Sequence, residues 1–367
     1  MILLVILVPG CGLNRAAKPA VPHAPLGTVS EAPNASTPPQ AYPPAVTEPP
    51  PAASARLSRA PFAITLGPDG SLWFTRFRTN RIGRITPQGE VTEFELKGGL
   101  PERLVAGPDD AVWFTDPARN RIGRLALGGA LAYVPLPTQN SGPAAITLGP
   151  DHDLWFTEHA ANRVGRVTPL GTVTEFVLPH PGGPAGITAG PDGNLYFAEN
   201  SGNRIDRISP AGWVDEFALP HPNSLPNGII TGADGNLWFT EIAAQKIGRL
   251  TPEGDMTEYT LPAPGMPLGI AAGPDGNVWI TVPIPHAICR IAPDGRGSAF
   301  YLPETATPSF LATGSDGNLW FTEPDGKIGR FTTSGRLTEF SATPQAEEKS
   351  ASVEPTAKRH LLISPAP

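Results

Sequence analysis

The chain has 367 residues, enough for one large domain or two small ones. Its net charge of −7 argues against a nucleic-acid partner held by a basic surface. Its two cysteines, Cys11 and Cys289, are too few for a fold stabilised by several disulfides, so stability has to come from burial of apolar side chains.

An apolar run occupies the first eleven residues and ends at a cysteine. It is too short to span a bilayer and is typical of the apolar part of a secretory signal. Positions 8–11, Val-Pro-Gly-Cys, resemble a bacterial lipobox, which implies cleavage before Cys11 and acylation of its thiol. We predict a signal peptide over 1–11 and an extracytoplasmic protein that is anchored to the bacterial membrane by lipid at Cys11 or secreted; a buried strand or an artefact of start-codon choice is the alternative.

Two flanking segments have a composition typical of disorder. Residues 12–60 are rich in proline, alanine, serine and threonine, and residues 341–367 in alanine, proline, glutamate and lysine. Such segments bury too little apolar surface to offset the entropy lost on ordering. We predict an extended linker over 12–60 and a disordered tail over 341–367.

Between these segments one phrase recurs seven times with variations: Gly-Pro-Asp-Gly-Asn-Leu-Trp-Phe-Thr-Glu. Its first aromatic residue falls every 40 to 42 residues, at Trp73, Trp113, Trp155, Tyr196, Trp238, Trp279 and Trp320. Each unit divides into four short β-type segments joined by turns such as Asp-Gly. The sequence therefore predicts an all-β protein, a seven-bladed β-propeller of four-stranded antiparallel blades over 61–340.

Two features of the packing follow from the repeat. The Trp-Phe pair of each second strand is interpreted as packing between blades. The last unit contains its own fourth strand, Leu337 to Phe340, so the ring is expected to close by packing of blade seven against blade one. A monomer is expected.

The phrases Asn-Arg-Ile-Gly-Arg-Ile-Thr-Pro and Val-Thr-Glu-Phe accompany the first phrase in the repeat, and together they resemble the repeats of the virginiamycin B lyase (streptogramin lyase) family. The resemblance covers the whole predicted propeller. It implies that a cyclic depsipeptide antibiotic binds at one mouth of the ring and that its ester is opened by elimination. It also implies a histidine base and an Mg²⁺ ion that stabilises the enolate-like charge.

Departures from the family fall at the positions that carry its catalysis. The two histidine positions are Leu268 and Ser309 here, and an acidic position is Thr307; Glu323, beside which the family binds metal, is retained. Leucine cannot accept a proton, and serine without a base is a poor substitute. A non-catalytic module that binds a small molecule or peptide is therefore favoured. An Mg²⁺-dependent lyase with a rearranged base, or a metal-dependent lactonase-like hydrolase, is the alternative.

Equivalent repeat positions define two rings. The mouth ring follows the proline of each first strand, and the resemblance implies that it lines the pocket: Phe62, Glu102, Ala144, Ala185, Asn227, Leu268 and Ser309. We predict that Phe62, Glu102, Asn227 and Ser309 contact the ligand. The acidic ring ends each second strand: Arg76, Asp116, Glu158, Glu199, Glu241, Val282 and Glu323.

The acidic ring has two interpretations. It either binds a cation, with Glu323 as the metal ligand, or its carboxylates pair with basic residues of the third strands, which we favour. The histidines outside the flanking segments, His152, His159, His180, His221 and His286, are interpreted as loop residues, apart from His286, which is assigned to a third strand.

Overall fold

Each blade of the protein is built from one continuous stretch of chain. The computed structural model describes residues 60–76 and 79–344; the predicted signal peptide, most of the linker and most of the tail lie outside them. Within the described residues, 28 strands form seven four-stranded antiparallel sheets, each in sequence order. The predicted seven-bladed β-propeller is confirmed.

The bounds of the strands repeat from blade to blade. Blades one to four contain β1 Pro61–Leu66, β2 Leu72–Arg76, β3 Arg81–Ile85, β4 Val91–Glu95; β5 Leu104–Ala106, β6 Ala111–Asp116, β7 Arg121–Ala126, β8 Leu131–Pro135; β9 Pro143–Leu148, β10 Leu154–Glu158, β11 Arg163–Val167, β12 Val173–Val177; β13 Pro184–Ala189, β14 Leu195–Glu199, β15 Arg204–Ile208, β16 Val214–Ala218.

Blades five to seven contain β17 Pro226–Thr231, β18 Leu237–Glu241, β19 Lys246–Leu250, β20 Met256–Thr260; β21 Ile270–Ala272, β22 Val278–Val282, β23 Ala287–Ile291, β24 Gly297–Tyr301; β25 Leu311–Thr313, β26 Leu319–Glu323, β27 Lys327–Phe331, β28 Leu337–Ser341. A 3-10 turn at Pro117–Arg119 is the one helical element in the described part of the chain. No helix among the described residues is long and apolar enough to cross a membrane.

Every second strand is buried along its whole length. In blade three the Trp155 ring stacks on Phe176 of the fourth strand, with centroids 5.4 Å apart, and its indole N–H donates to Asp151 at 3.0 Å. In every blade the aspartate four residues before the aromatic residue accepts this bond, from a tyrosine hydroxyl in blade four and from an indole N–H in the others. This bond satisfies an indole N–H that would otherwise be buried without a partner.

The aromatic pair of each second strand packs between blades, as predicted. Trp73 of blade one shares an apolar cluster with Phe114 of blade two, and Trp113 of blade two shares the next cluster with Phe156 of blade three. The same contact recurs around the ring, with Tyr196 in place of the tryptophan in blade four and Ile280 in place of the phenylalanine in blade six. Removal of this apolar surface from water supplies the main drive for ring formation.

The ring closes without exchange of a strand. Blade seven contains its own fourth strand, and Trp320 of blade seven packs in one cluster with Phe74 of blade one. The Arg330 guanidinium donates to the Pro87 carbonyl across this seam at 2.9 Å, as Arg249 donates to Pro293 between blades five and six. Blade seven thus packs against blade one without strand exchange, as predicted.

We expect Gly165→Ala to lower the free energy of unfolding by about 1–3 kcal/mol, because a Cβ on this buried third-strand residue would overlap the Phe156 ring. Thermal and urea unfolding measure the loss. Gly128→Ala is the control, since no heavy atom lies within 4 Å of its added Cβ. Equal stability of the two variants would contradict the packing described.

Candidate functional site

A cavity opens at the end of the propeller where the first strands begin. Pro184 pairs with Glu199 and Pro226 with Glu241, so the start of each first strand and the end of each second strand lie at the same end of the ring. The cavity measures about 540 Å³. Such a volume suits a small molecule or a short peptide segment.

Threonine hydroxyls of the second strands fix the backbone of the mouth ring. Thr157 Oγ1 accepts the Ala145 N–H of its own blade at 3.0 Å and donates to the Ala185 carbonyl of the next blade at 2.7 Å. Four other second-strand threonines likewise donate to a main-chain carbonyl of the next blade: Thr75 to Glu102, Thr115 to Ala144, Thr281 to Ser309 and Thr322 to Phe62. The hydroxyls act on main-chain groups, so they hold the mouth without restricting its side chains.

Members of the mouth ring take different positions at the cavity. Glu102, Asn227 and Leu268 lie in its wall together with Ala144 and Ala185. By contrast, Phe62 packs edge-on against Phe310, with ring centroids 4.7 Å apart. Ser309 is held by its main chain, which donates to the Thr322 carbonyl at 2.8 Å and accepts from Thr281. Their assignment as ligand contacts stays a prediction.

A charged group that the sequence analysis did not single out also lies in the wall. Arg103 follows Glu102, and its guanidinium lies over the Phe310 ring, 3.8 Å from the centroid. Burial lowers the pKa of Arg103 to about 10, and the charge of Glu102 opposes that shift. The repeat did contain a signal, since the other blades place only Ala, Gly or Phe at this position: Ala63, Ala145, Gly186, Gly228, Gly269 and Phe310.

His159 brings a titratable ring to the same wall. Its Nδ1 lies 3.2 Å from the Pro184 carbonyl, and it is close enough to Glu102 to stabilise the ionised carboxylate. Burial nevertheless raises the pKa of Glu102 above its usual range, against the opposing charges of Arg103 and His159. The cavity thus holds a carboxyl, a guanidinium and an imidazole on blades two and three.

The acidic ring lies at the same end but inside the sheets. Its four glutamates, Glu158, Glu199, Glu241 and Glu323, are fully buried, as is Asp116. The predicted pairing with third-strand basic residues holds for two members: Asp116 Oδ2 lies 2.8 Å from Arg121, and Glu199 Oε2 lies 2.5 Å from Arg204.

The prediction of pairing is wrong for the remaining glutamates. Lys246 and Lys327 pair instead with fourth-strand carboxylates, Glu258 at 2.7 Å and Glu339 at 2.9 Å, which are nearer to solvent. Within the described residues, neither side-chain oxygen of Glu158, Glu241 or Glu323 makes a hydrogen bond of normal geometry. Ser141, Ser224 and the Thr307 main chain, respectively, lie near enough to lower the pKa values of these groups, but burial outweighs them.

Burial therefore governs the charge of the acidic ring. It raises the pKa of Glu158, Glu199 and Glu241 to about 7 and that of Glu323 to about 8. Burial disfavours an ionised carboxylate even where, as at Glu199, a basic residue opposes the shift, so the neutral acid is favoured there. Blade four adds Asp206 on its third strand, where burial and then Glu199 raise the pKa to about 8.

The residues at the family's metal position do not fit an Mg²⁺ site. Leu268, Thr307 and Ser309 offer neither carboxylate nor imidazole, and no three His, Cys, Asp or Glu side chains in 60–76 and 79–344 are grouped as metal ligands. Mg²⁺ prefers several hard oxygen ligands in octahedral geometry. Glu323 alone does not make an Mg²⁺ site, and its pKa is raised by burial and then by Glu339 and Asp325, which disfavours the ionised carboxylate that a metal requires.

His286 requires a correction, because it precedes the third strand of blade six instead of lying in it. With φ 61° it occupies the left-handed position that Asn162 and Asn203 occupy in blades three and four. Asn162 Oδ1 accepts the Gly182 N–H at 3.0 Å, and His286 Nδ1 lies 3.2 Å from the Ala306 carbonyl. Its ring thus takes the place of an asparagine that links adjacent blades.

Comparison with known proteins now identifies the family. A family model described as the virginiamycin B lyase family matches residues 51–183 and 180–361. The chain belongs to the virginiamycin B lyase family. No curated protein sequence matches it.

Solved structures agree with the family. A streptogramin B lyase structure is 37% identical over 77% of this chain and 94% of its own, with a TM-score of 0.72. A catalytically inactive variant of virginiamycin B lyase from Staphylococcus aureus, solved with quinupristin, is 38% identical over 75% of this chain and 95% of its own, with a TM-score of 0.70. Hydrazine synthase from Kuenenia stuttgartiensis, 14% identical over 78% of this chain and 97% of its own, has a TM-score of 0.59 and shares the fold alone.

The raised pKa of Glu241 predicts a pH-dependent stability. Between pH 4.5 and about 7 the unfolded chain ionises this carboxyl while the folded chain keeps it neutral, so folding loses stability as the pH rises. The change in the free energy of unfolding caused by Glu241→Gln should therefore favour the variant more at pH 8 than at pH 5, by up to about 3 kcal/mol. Urea unfolding at both pH values measures this difference.

Asp234→Asn is the matched control with the opposite sign. Burial alone would raise the pKa of Asp234, but hydrogen bonds from Asn236 and Trp238 outweigh burial and lower it. Its stabilisation is present above pH 3.8 and is lost as the pH falls through the lower folded value. The Asn variant should thus be destabilised at pH 7 and less so in acid. A pH-independent effect of Glu241→Gln would contradict a buried neutral glutamate.

Proposed function

We propose that the protein is a non-catalytic ligand-binding member of the virginiamycin B lyase family. The observation that supports this most is the cavity wall, where Leu268 stands at a position of a family histidine. Leucine has no group that removes or returns a proton. The second histidine position, Ser309, offers a hydroxyl without an adjacent base.

The rest of the wall suits binding. Its residues are predominantly small or apolar, with few polar side chains, which is the usual composition of a site that recognises a small molecule or peptide. A propeller that keeps its scaffold and changes its mouth retains the family's shape without the family's reaction. The ligand class is a small molecule or peptide bound at the mouth.

The location and assembly form part of the proposal. A signal peptide with lipid attachment at Cys11 and a proline-rich linker would display the propeller, as a monomer, outside the cytoplasmic membrane. In this arrangement the membrane holds the lipid anchor alone. The net charge of −7 disfavours nucleic acid as a partner.

A lyase with a rearranged base is the alternative function, and one observation favours it. Glu102 and His159 place a carboxyl and an imidazole in the same cavity wall, and both groups serve as general bases in elimination. This route would use blades two and three instead of the family's last two blades.

The purified full-length chain should leave a type B streptogramin intact in the presence of Mg²⁺. Chromatography with mass spectrometry measures this, with Staphylococcus aureus virginiamycin B lyase as the active control. A shift in retention at unchanged mass would mean elimination and would overturn the proposal. Loss of that product in Glu102→Gln or His159→Asn would then assign the base, whereas gain of a water molecule would indicate hydrolysis.

A further inference from the structure

Arg103 is the exception within its ring of repeat positions. The equivalent residues of the other blades are alanine, glycine or phenylalanine, whereas blade two projects a guanidinium into the cavity wall. The main chain here is ordinary, since the Arg103 N–H donates to Thr115 Oγ1 at 3.1 Å as in the neighbouring blades. The substitution therefore changes the chemistry of the cavity and leaves its backbone unchanged.

Two aromatic rings hold the Arg103 side chain. Its guanidinium carbon lies 3.8 Å from the Phe310 centroid and 5.2 Å from the Phe62 centroid, and these two rings contact each other. Stacking on aromatic faces leaves the edge of a guanidinium free to donate hydrogen bonds. The side chain is thereby oriented before any ligand arrives.

No acidic group neutralises this guanidinium among the described residues. Arg84, Arg124 and Arg207 each lie within 4.0 Å of a carboxylate, but Arg103 has no such ion pair, and its guanidinium makes no hydrogen bond in the described part of the chain. Although burial lowers its pKa to about 10, the group stays charged at neutral pH. A cation in a partly buried wall gains much from an anionic partner.

Among the described residues, Glu102 is the one acidic side chain in the cavity wall, and it limits the choice of anion. Its charge acts on Arg103 from beyond ion-pair distance, and burial raises its pKa. A ligand with several negative charges would be repelled by Glu102 when that group is ionised. A single carboxylate matches the two parallel N–H groups of a guanidinium edge and brings one charge.

We propose that Arg103 forms a carboxylate-binding subsite in the mouth, and that the ligand carries one carboxylate beside an apolar body. The carboxylate accepts from the guanidinium edge while the apolar body packs against Ala144, Ala185 and Leu268. This inference rests on the proposed ligand-binding function and specifies its ligand class.

A matched pair of probes tests the subsite with the full-length chain. N-Acetylphenylalanine and N-acetylphenylalaninamide differ only in the carboxylate, and ligand-observed NMR at pH 7 measures their dissociation constants. The acid should bind about 10- to 100-fold more tightly than the amide. Arg103→Gln should abolish that preference, and Arg103→Lys should keep part of it, because it retains the charge without the fork.

The control is Arg296→Gln, which removes a surface arginine that is 87% exposed. It should preserve the preference for the acid, and thermal unfolding should show that all variants are folded. Equal binding of acid and amide, binding of neither at millimolar concentration, or a preference retained in Arg103→Gln would overturn the subsite. Opening of the streptogramin ring would instead overturn the non-catalytic function and leave this comparison intact.

Discussion

The mouth of the propeller depends on the hydrogen bonds of the threonine hydroxyl at the third position of Trp-Phe-Thr-Glu, which every blade contains except blade four, with Ala198. This hydroxyl accepts an N–H from the first strand of its own blade and donates to a carbonyl at the start of the next, as Thr157 does between Ala145 and Ala185. Both partners are main-chain groups, so the geometry of the mouth is independent of the side chains displayed there. Leucine, serine, glutamate or arginine can occupy the mouth on the same scaffold, which separates the stability of the ring from its chemistry.

The acidic residues at this end of the ring lie either inside the sheets or in the cavity wall. Glutamates inside the sheets, such as Glu158 and Glu241, have pKa values raised to about 7 by burial. Below that pH they are neutral and contribute little field to the cavity. The electrostatic character of the mouth is then set by the few groups in its wall, Glu102, Arg103 and His159.

Much of the fold could be predicted from the sequence because the signal is repeated seven times. The aromatic residues at Trp73 to Trp320 mark strands that are buried along their whole length in every blade, and the fourth strand at Leu337 was evident from its own unit. The site was harder to predict because it consists of departures from the repeat. The family's histidine positions correspond to Leu268 and Ser309, whereas Arg103, one residue after the mouth ring, corresponds to no catalytic position of the family.

The spacing of charged residues in the sequence could not predict which ion pairs form in the acidic ring. Opposite charges recur in most blades, yet Lys246 pairs with the more exposed Glu258, and Glu241 has no ion pair within the described residues. The choice between these two carboxylates depends on depth of burial, which strand periodicity does not specify. His286 likewise carries family-like neighbours in sequence, while its backbone shows it to be an asparagine substitute between blades.

The seam between blades seven and one shares no strand and has kinds of contact that other boundaries also have, a threonine hydroxyl donating to the next blade and an arginine donating to a proline carbonyl. The fold therefore does not depend on which blade comes first in the chain. A circular permutant begun between any two blades would keep all seven sheets whole, and duplication or loss of a complete unit would leave every remaining sheet intact.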